Sequence, residues 1–235
     1  MRLDNYLVEK EFVDSRNKAQ TIVKDGLVSV NAKIVKKSSF KVEKGNKVTV
    51  KKYKNYVSRA AFKLDEFLHD IALDVSKKIA LDIGSSTGGF TQVLLEREVS
   101  EVTAVDVGTN QLHESLKNDT RVFSYESCDI RDFESDKSFN LVVSDVAFIS
   151  LLYILDDVHR LASDDIILLF KPQFEVGREV KRDKNGVVQD AKAILKAREK
   201  FETACESKGW DLIKQSTSKL TGKEGNLEYC YYYKK

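Results

Sequence analysis

The sequence predicts an α/β protein in which a small basic domain of mixed helices and strands precedes a doubly wound sheet covered by helices. Two patterns support the larger unit. From residue 79 onward short apolar strands alternate with helical segments, and a glycine-rich turn follows the first strand. The third observation is charge, since residues 1–62 carry a net charge of +9 and the rest of the chain −7. This asymmetry favours a polyanion-binding module joined to a second activity.

Composition excludes several other classes. A chain of 235 residues with 42% hydrophobic residues, twelve Phe and nine Tyr can build a packed core. The cysteines and histidines lie far apart without CxxC or HExxH spacing, so we expect neither a disulfide framework nor a metal site. These residues are Cys128, Cys205, Cys230, His69, His113 and His159. The longest aliphatic run, 166–170, is too short to cross a bilayer, and no signal peptide is evident. We therefore expect a soluble cytoplasmic protein without membrane insertion.

The basic domain is predicted over residues 1–52, followed by a short linker over 53–57 and a larger domain over 58–235. Ser15 suits the N-cap of a helix, and Gly26 suits a left-handed residue at its end. The predicted elements are a helix containing Leu3, Leu7 and Phe12, a helix between Ser15 and Gly26, a hairpin over 27–35 and a strand over 47–50.

This domain resembles the S4 family of RNA-binding domains. The shared motifs are Arg2-Leu3-Asp4, Ser15-Arg16, Gly26-Leu27-Val28-Ser29-Val30-Asn31 and Lys33. The resemblance implies that basic side chains of this domain contact RNA, namely Arg2, Arg16, Lys18, Lys24 and Lys33, and we expect Arg59 of the larger domain to contact RNA as well. Such contacts bind phosphates and position RNA without reading much of its sequence. A solvated lysine-rich surface without a partner is the alternative that the sequence leaves open.

The larger domain is predicted to alternate strands and helices. Its strands are predicted over 79–84, 101–106, 122–125, 139–145, 166–171, 212–215 and 228–233. Its helices are predicted around Lys63 and over 89–97, 149–161 and 190–208. In such sheets ligands bind outside the carboxyl ends of the parallel strands.

The turn after the first of these strands favours close approach to a ligand. Gly84, Gly88 and Gly89 let the backbone pass near a bound group and leave the next helix N-terminus facing it. Ser86 stands where a dinucleotide fingerprint has its second glycine. Asp106 ends the next strand 22 residues after Gly84, where it can bind ribose hydroxyls. NAD enzymes and S-adenosylmethionine enzymes both use that geometry.

The form Asp-x-Gly-x-x-x-Gly-Gly resembles the S-adenosylmethionine motif of class I methyltransferases, which disfavours NAD. The resemblance implies a contact from Asp129 to the adenine amino group. The residues expected to bind the cofactor are Asp82, Gly84, Ser85, Ser86, Thr87, Gly88, Gly89, Phe90, Asp106, Val107, Asp129, Ile130 and Asp145.

The segment after the fourth strand narrows the choice of group that receives the methyl. This segment, Ser144-Asp145-Val146-Ala147-Phe148, lacks the Pro-Pro pair typical of enzymes that methylate base amino groups. The chain's single proline, Pro172, lies elsewhere, and no cysteine has the Pro-Cys setting needed for cytosine C5 methylation. Both acceptors are therefore disfavoured.

Four charged residues indicate a different acceptor. Lys63, Asp145, Lys171 and Glu228 resemble the Lys-Asp-Lys-Glu set of FtsJ-like ribose 2′-O-methyltransferases. With the S4-like domain and the segment 170–175, they resemble the TlyA (hemolysin A) family of rRNA 2′-O-methyltransferases over essentially the whole chain. The resemblance implies a class I, Rossmann-like methyltransferase sheet with a small N-terminal α+β S4 domain.

The chemistry explains why two amines and two carboxylates are needed. A ribose hydroxyl is a very weak acid, so the enzyme must align it with the donor methyl and remove one proton. Lys171 is the expected base, which requires a pKa lowered from about 10.4 to about 7–8. Burial and the positive charge of Lys63 favour that change. Asp145 and Glu228 oppose it, so we assign them to orienting Lys171 and the substrate.

The resemblance implies a cytidine in large-subunit (23S) rRNA as substrate, in some members with 16S rRNA, and hence rRNA or a ribosomal subunit as partner. Two other functions stay open. One is a non-catalytic S4 ribosome-assembly factor on a methyltransferase fold. The other is the pore-forming toxin that the name hemolysin suggests, which no membrane-spanning segment supports. The basic loop 175–189 is either a lid over the RNA or an ordinary solvated loop.

Overall fold

The computed structural model describes residues 1–24, 26–51 and 54–235. Within them the chain forms two compact units, residues 1–55 and residues 56–235. The basic domain is predicted to end at Lys52 and the linker to begin at Tyr53. Both residues lie outside the described ones, so the predicted domain boundaries stay predictions.

The N-terminal unit combines two helices with a three-stranded antiparallel sheet. Its elements are α1 (Leu3–Glu9), α2 (Arg16–Lys24), β1 (Val28–Val30), β2 (Lys33–Ile34) and β3 (Val48–Val50), with β1 central in the sheet. Asn31 and Ala32 both have positive φ, and this left-handed pair makes the tight turn of the β1–β2 hairpin. Leu3, Leu7 and Ile22 are buried in one apolar cluster with residues of the strands.

The first helix is shorter than its apolar spacing predicts. α1 ends at Glu9, and Phe12, expected to continue the apolar face, is exposed. Glu11 has left-handed backbone with φ of 57°, and the amide of Phe12 donates to the carbonyl of Leu7. This hydrogen bond closes the helix. Spacing alone could not show that the chain had already turned.

The larger unit contains a seven-stranded sheet with strand order β6-β5-β4-β7-β8-β10-β9. Its helices are α3 (Ala60–Ile71), α4 (Gly89–Glu96), α5 (Glu114–Lys117), α6 (Leu155–Leu161), α7 (Pro172–Glu175) and α8 (Ala191–Glu206). Its strands are β4 (Ile79–Ile83), β5 (Glu101–Asp106), β6 (Val122–Glu126), β7 (Phe139–Ser144), β8 (Ala162–Phe170), β9 (Asp211–Thr217) and β10 (Tyr229–Lys234). β10 lies antiparallel between β8 and β9, whereas the strands from β6 to β8 are parallel.

Both faces of this sheet are covered by helices. Consecutive residues of β4 contribute to different apolar clusters, Ala80 to one and Leu81 to the other. The first cluster includes Val93 of α4, and the second includes Val158 of α6 and Phe201 of α8. The predicted doubly wound α/β fold is therefore confirmed.

β8 begins earlier than predicted. The predicted strand begins too late because acidic residues interrupt the apolar pattern of β8. β8 begins at Ala162, whereas the apolar run begins four residues later. Asp165 is nevertheless buried, because its carboxylate pairs with Lys78 and accepts a hydrogen bond from the Tyr232 hydroxyl at 2.6 Å. A buried carboxylate with such partners can occupy an inward-facing strand position.

The connection before β8 also differs from its prediction. The helix expected over 149–161 is divided into a 3₁₀ turn, Leu151–Tyr153, and α6. Ser150 caps the turn by accepting a hydrogen bond from the amide of Leu152. The four-residue helices α5 and α7 were not predicted, because one turn is too short to show helical periodicity.

Among the described residues, no helix is long and apolar enough to cross a membrane. No group of three or more His, Cys, Asp or Glu in this part of the chain could hold a metal ion. The three cysteines are free, and Cys205 and Cys230 are buried.

Candidate active site

Two adjoining cavities lie at the carboxyl ends of β4, β5, β7 and β8. One has a volume of about 250 Å³ and is lined by residues that follow β4, β5, β6 and β7. The other, of about 240 Å³, is lined by the glycine-rich turn and by Lys171. Both are lined by Gly84, Ser86, Asp145 and Ala147, so they meet between the turn after β4 and the segment after β7. This is the edge where the fold predicts a ligand site.

Glycine is required at two positions of the turn. Gly84 has a φ of 78°, and a methyl group built there would lie 3.1 Å from Cα of Val146. Gly88 has a φ of 92°, and its added methyl would lie 2.3 Å from a methyl carbon of Leu116. The turn can therefore approach its neighbours only without side chains at these positions. The predicted turn residues Ser85, Ser86, Thr87, Gly89 and Phe90 all line the 240 Å³ cavity.

Asp82 contributes an unusual carboxyl group to this cavity. It is completely buried, and Oδ2 accepts a hydrogen bond of 2.7 Å from the Thr91 hydroxyl. Oδ1 has no hydrogen-bond partner among the described residues. Burial raises the pKa of Asp82 to about 7, and the negative charges of Asp145 and Asp106 act in the same direction. A buried carboxyl oxygen without a donor fits a ligand that carries a positive charge.

Asp106 is fixed at the wall of the 250 Å³ cavity by backbone hydrogen bonds. Oδ2 accepts from the amide of Ser86 at 2.8 Å, and Oδ1 accepts from the amide of Gly108 at 2.7 Å. Each carboxylate oxygen has two lone pairs, so both can still accept a ligand hydroxyl. Val107 follows as an exposed side chain lining the same cavity.

Asp129 lines this cavity as well, but its carboxylate already has a partner. Arg131 contacts Oδ2 of Asp129 at 2.6 Å and donates its amide to Oδ1 at 3.0 Å. The hydrogen bond from Arg131 lowers the pKa of the Asp129 carboxyl. Sequence reasoning did not include this arginine. The adjacent Ile130 is buried and lines the cavity.

The four charged residues singled out in the sequence form two ion pairs. Nζ of Lys171 lies 2.6 Å from Oδ1 of Asp145, and Nζ of Lys63 lies 2.5 Å from Oε2 of Glu228. None of the four side chains is more than 12% exposed.

Strand register brings the two pairs to the same edge. Phe170, the last residue of β8, is paired with Tyr229, the first residue of β10. Lys171 and Glu228 are their immediate neighbours in the chain and therefore leave adjacent strands at the same level. Asp145 and Lys171 also line the 240 Å³ cavity. The structure thus brings together side chains that are separated by up to 165 positions in the sequence.

Phe148 is a candidate functional residue that sequence reasoning missed. Its side chain is 93% exposed, its φ is 66°, and it lines the 250 Å³ cavity. Its ring centroid lies 5.4 Å from that of Phe174, three residues after Lys171. A left-handed backbone at a bulky residue costs free energy, and residues with this kind of strain cluster at functional sites. The available signal was its place in the segment after β7, where base-methylating enzymes also carry an aromatic residue.

The predicted RNA contacts differ in their surroundings. Lys24, Lys33 and Arg59 are exposed, whereas Lys18 is half-buried and burial lowers its pKa. Arg2 and Arg16 both bind the carboxylate of one buried residue, Asp4, which was singled out only as part of a motif.

The basic loop after α7 is tied down by hydrogen bonds to carbonyl oxygens. Arg182 donates to the carbonyl of Val180 at 2.7 Å and to that of Gln173 at 3.2 Å. The buried side chain of Asn226, two residues before Glu228, accepts from the amide of Val188 at 3.0 Å. The loop is thus fastened to the segments that carry Lys171 and Glu228.

Two family models match the chain. Residues 56–235 match FtsJ-like methyltransferase, and residues 1–48 match S4 domain. The first match covers more than half of the chain and includes all four residues of the two ion pairs.

Whole-length relatives agree with these matches. The chain is 46% identical to the 23S rRNA (cytidine-2′-O)-methyltransferase TlyA of Campylobacter jejuni, over 99% of each chain. It is 37% identical to the 16S/23S rRNA (cytidine-2′-O)-methyltransferase TlyA of Mycobacterium tuberculosis, over 97% of this chain and 87% of the relative. The solved structure of a presumed hemolysin from Streptococcus thermophilus is 34% identical, with a TM-score of 0.75 over 100% of this chain and 88% of that one.

Proposed function

The chain belongs to the FtsJ-like methyltransferase family and carries an S4 domain, and we propose that it transfers a methyl group from S-adenosylmethionine to the ribose 2′-hydroxyl of a cytidine in ribosomal RNA. The observation that carries this proposal is the Lys171–Asp145 ion pair at the junction of the two cavities. It places the amine of Lys171, which can accept a proton once it is neutral, beside a site suited to a nucleoside cofactor.

The residues of the two cavities fit S-adenosylmethionine. The unpartnered Oδ1 of Asp82 suits the positive end of the cofactor, and the carboxylate of Asp106 suits its ribose hydroxyls. Asp129 and Ile130 would border the adenine. When bound, the cofactor supplies a methyl group on a sulfonium, which needs no further activation by the protein.

The protein's own residues then have two tasks, to position the ribose hydroxyl and to accept its proton. Lys171 takes the proton on Nζ, which must be neutral at that moment. Asp145 holds this amine in place through both its carboxylate and its backbone carbonyl. Lys63 and Glu228 form the neighbouring pair, and although neither lines the two cavities, we assign this pair to orienting Lys171 and the ribose. Since all four side chains are nearly buried, binding of the RNA completes the exclusion of water.

The substrate class follows from the N-terminal domain and from the relatives. Both relatives are named as cytidine methyltransferases of 23S rRNA, and the one from Mycobacterium tuberculosis is also named for 16S rRNA. The chain is 46% identical to the relative named for 23S rRNA alone and 37% identical to the one named for both RNAs, so we propose the large-subunit site as its main target. A ribosomal substrate also favours the cytoplasm as the location of the protein.

The test is methyl transfer from tritiated S-adenosylmethionine to large and small ribosomal subunits isolated from a strain that lacks the gene. We expect label on the large subunit, at one cytidine that mass spectrometry maps to the ribose. Binding to subunits without transfer of label would instead support the S4 ribosome-assembly factor. Label on a base rather than on a ribose would contradict the proposed acceptor.

A further inference from the structure

One buried carboxylate organises the start of the N-terminal unit. Asp4, in the first turn of α1, is 0% exposed. Arg2 donates to both of its oxygens, through Nε at 2.9 Å and through Nη2 at 2.8 Å. Arg16, the first residue of α2, donates Nε to Oδ2 at 3.1 Å. The side chain of Gln20 and the amide of Asn5 add further hydrogen bonds, at 3.3 and 3.0 Å.

Each of the two arginine side chains contacts Asp4 and is also partly exposed to solvent. Their side chains are 43% exposed for Arg2 and 55% exposed for Arg16, although both contact a fully buried carboxylate. Arg16 uses only Nε in this contact, so neither of the two terminal amino groups of Arg16 is engaged by Asp4. With two guanidinium groups on one carboxylate, the cluster keeps a net charge of +1. The hydrogen bond from Arg2, with those from Arg16 and Gln20, holds the pKa of the Asp4 carboxyl far below its ordinary range.

We propose that Asp4 is a positioning residue that holds Arg2 and Arg16 as a preformed pair for the phosphates of RNA. The proposal rests on the proposed function, because it requires that the S4 domain binds ribosomal RNA. A guanidinium fixed in one orientation loses less side-chain entropy when it binds a phosphate. Arg2 immediately precedes α1 and Arg16 is the first residue of α2, so the pair can contact the RNA backbone from the starts of both helices.

The sign of the change in RNA affinity distinguishes this proposal from a general electrostatic effect. Asp4→Asn removes a negative charge from a domain that binds a polyanion, and on charge alone RNA binding would become tighter. If Asp4 positions the arginines, the same change frees both side chains and binding becomes weaker. The two explanations therefore predict opposite signs.

The experiment measures binding of the full chain to unmethylated large ribosomal subunits over a range of KCl concentrations. We expect about tenfold weaker binding for Asp4→Asn, and a salt dependence reduced by about one or two phosphate contacts. The matched control is Asp14→Asn, which makes the same charge change at an exposed residue of this domain and should bind as well as wild type or better. Equal affinities of the two variants would overturn the proposal.

A second variant avoids the buried position, in case Asp4→Asn unfolds the domain. Arg16→Lys keeps the charge at an exposed residue but cannot reproduce the guanidinium contact, and we expect several-fold weaker binding. Binding as tight as wild type would also overturn the proposal. In an Arg2→Ala, Arg16→Ala background, Asp4→Asn should cause no further loss, since Asp4 acts through the two arginines. If that background itself binds like wild type, the proposed RNA-binding role of the domain fails instead.

Discussion

Lys171 contacts Asp145 twice, with Nζ 2.6 Å from carboxylate Oδ1 and 3.1 Å from the backbone carbonyl oxygen. One side chain therefore ties the end of β8 to the segment that follows β7. Because the same two residues line the 240 Å³ cavity, the contact that holds the strand ends together also sets the position of the amine toward a ligand. Changes at Lys171 should for this reason affect the chemical step more than cofactor binding.

For Lys171→Ala we expect methyl transfer to fall by about 10²–10⁴-fold, because a general base contributes that much to the rate. Affinity for S-adenosylmethionine should stay within about threefold of wild type, since most of the proposed cofactor contacts come from other residues. Single-turnover transfer and calorimetry measure the two quantities. The control is Lys192→Ala, which removes an exposed lysine of α8 and should leave the rate unchanged. A Lys171→Ala rate above about a tenth of wild type would argue against the base role.

Asp106→Ala should weaken binding of S-adenosylmethionine by about tenfold or more. The change removes the proposed acceptor of the ribose hydroxyls and the hydrogen bonds that hold the amides of Ser86 and Gly108. Calorimetric titration of the RNA-free protein measures the affinity directly. Asp211→Ala, at the exposed start of β9, serves as a control. An affinity unchanged from wild type would remove Asp106 from the cofactor site.

Asp82 should make stability depend on pH. A carboxyl whose pKa is about 7 in the folded protein keeps its proton after the unfolded chain has lost it. The folded state therefore loses stability as pH rises from about 4 to about 7, by up to about 4 kcal/mol. Asp82→Asn, which can keep the hydrogen bond from Thr91, should remove this loss.

Urea unfolding of both proteins at pH 5, 6, 7 and 8, without cofactor, checks this expectation. We expect the advantage of Asp82→Asn over wild type to grow with pH and to level off above pH 7. Comparing the two proteins cancels the contributions of all other titrating groups. A difference that stays constant across the range would show that Asp82 is ionised in the folded state throughout.

Phe148→Ala should weaken productive binding of RNA more than binding of S-adenosylmethionine, although its side chain also lines the 250 Å³ cavity. Stacking of a base on an aromatic ring is worth about 1–3 kcal/mol, or about 5- to 150-fold. The ring is exposed, so its loss should change stability by less than about 0.5 kcal/mol. The KM for ribosomal subunits measures the effect, and Tyr153→Ala, another exposed aromatic residue, is the control. Phe148→Trp should retain the wild-type KM, since either ring can stack.

The sequence allowed the positions of candidate site residues to be predicted where these residues follow parallel strands. Lys171 and Asp145 could be placed together because parallel strands end at a common edge, and the hydrophobic pattern located those ends to within a few residues. Glu228 could be included only through the family resemblance. Its strand is antiparallel, and antiparallel pairing at the end of the chain has no comparable rule.

Other features of the site depend on tertiary contacts between side chains, which no local sequence pattern indicates. The pairing of Arg131 with Asp129 and the anchoring of two arginines by Asp4 are choices of side-chain partner. Phe148 combines an exposed ring with a left-handed backbone, which its residue type disfavours. Side-chain partners and backbone conformations of this kind are determined by the tertiary structure, and the spacing of residues in the sequence does not predict them.

The position of β10 has a consequence for biosynthesis. This strand comes last in the described part of the chain, yet it lies inside the sheet between β8 and β9, and Glu228 immediately precedes it. A nascent chain on the ribosome can thus fold its cofactor-binding half early while the acidic partner of Lys63 is still inside the exit tunnel. Until β10 has formed, β8 presents an unpaired edge that invites aggregation, so the ion pair of Lys63 with Glu228 and the protection of this edge arise in the same step of folding.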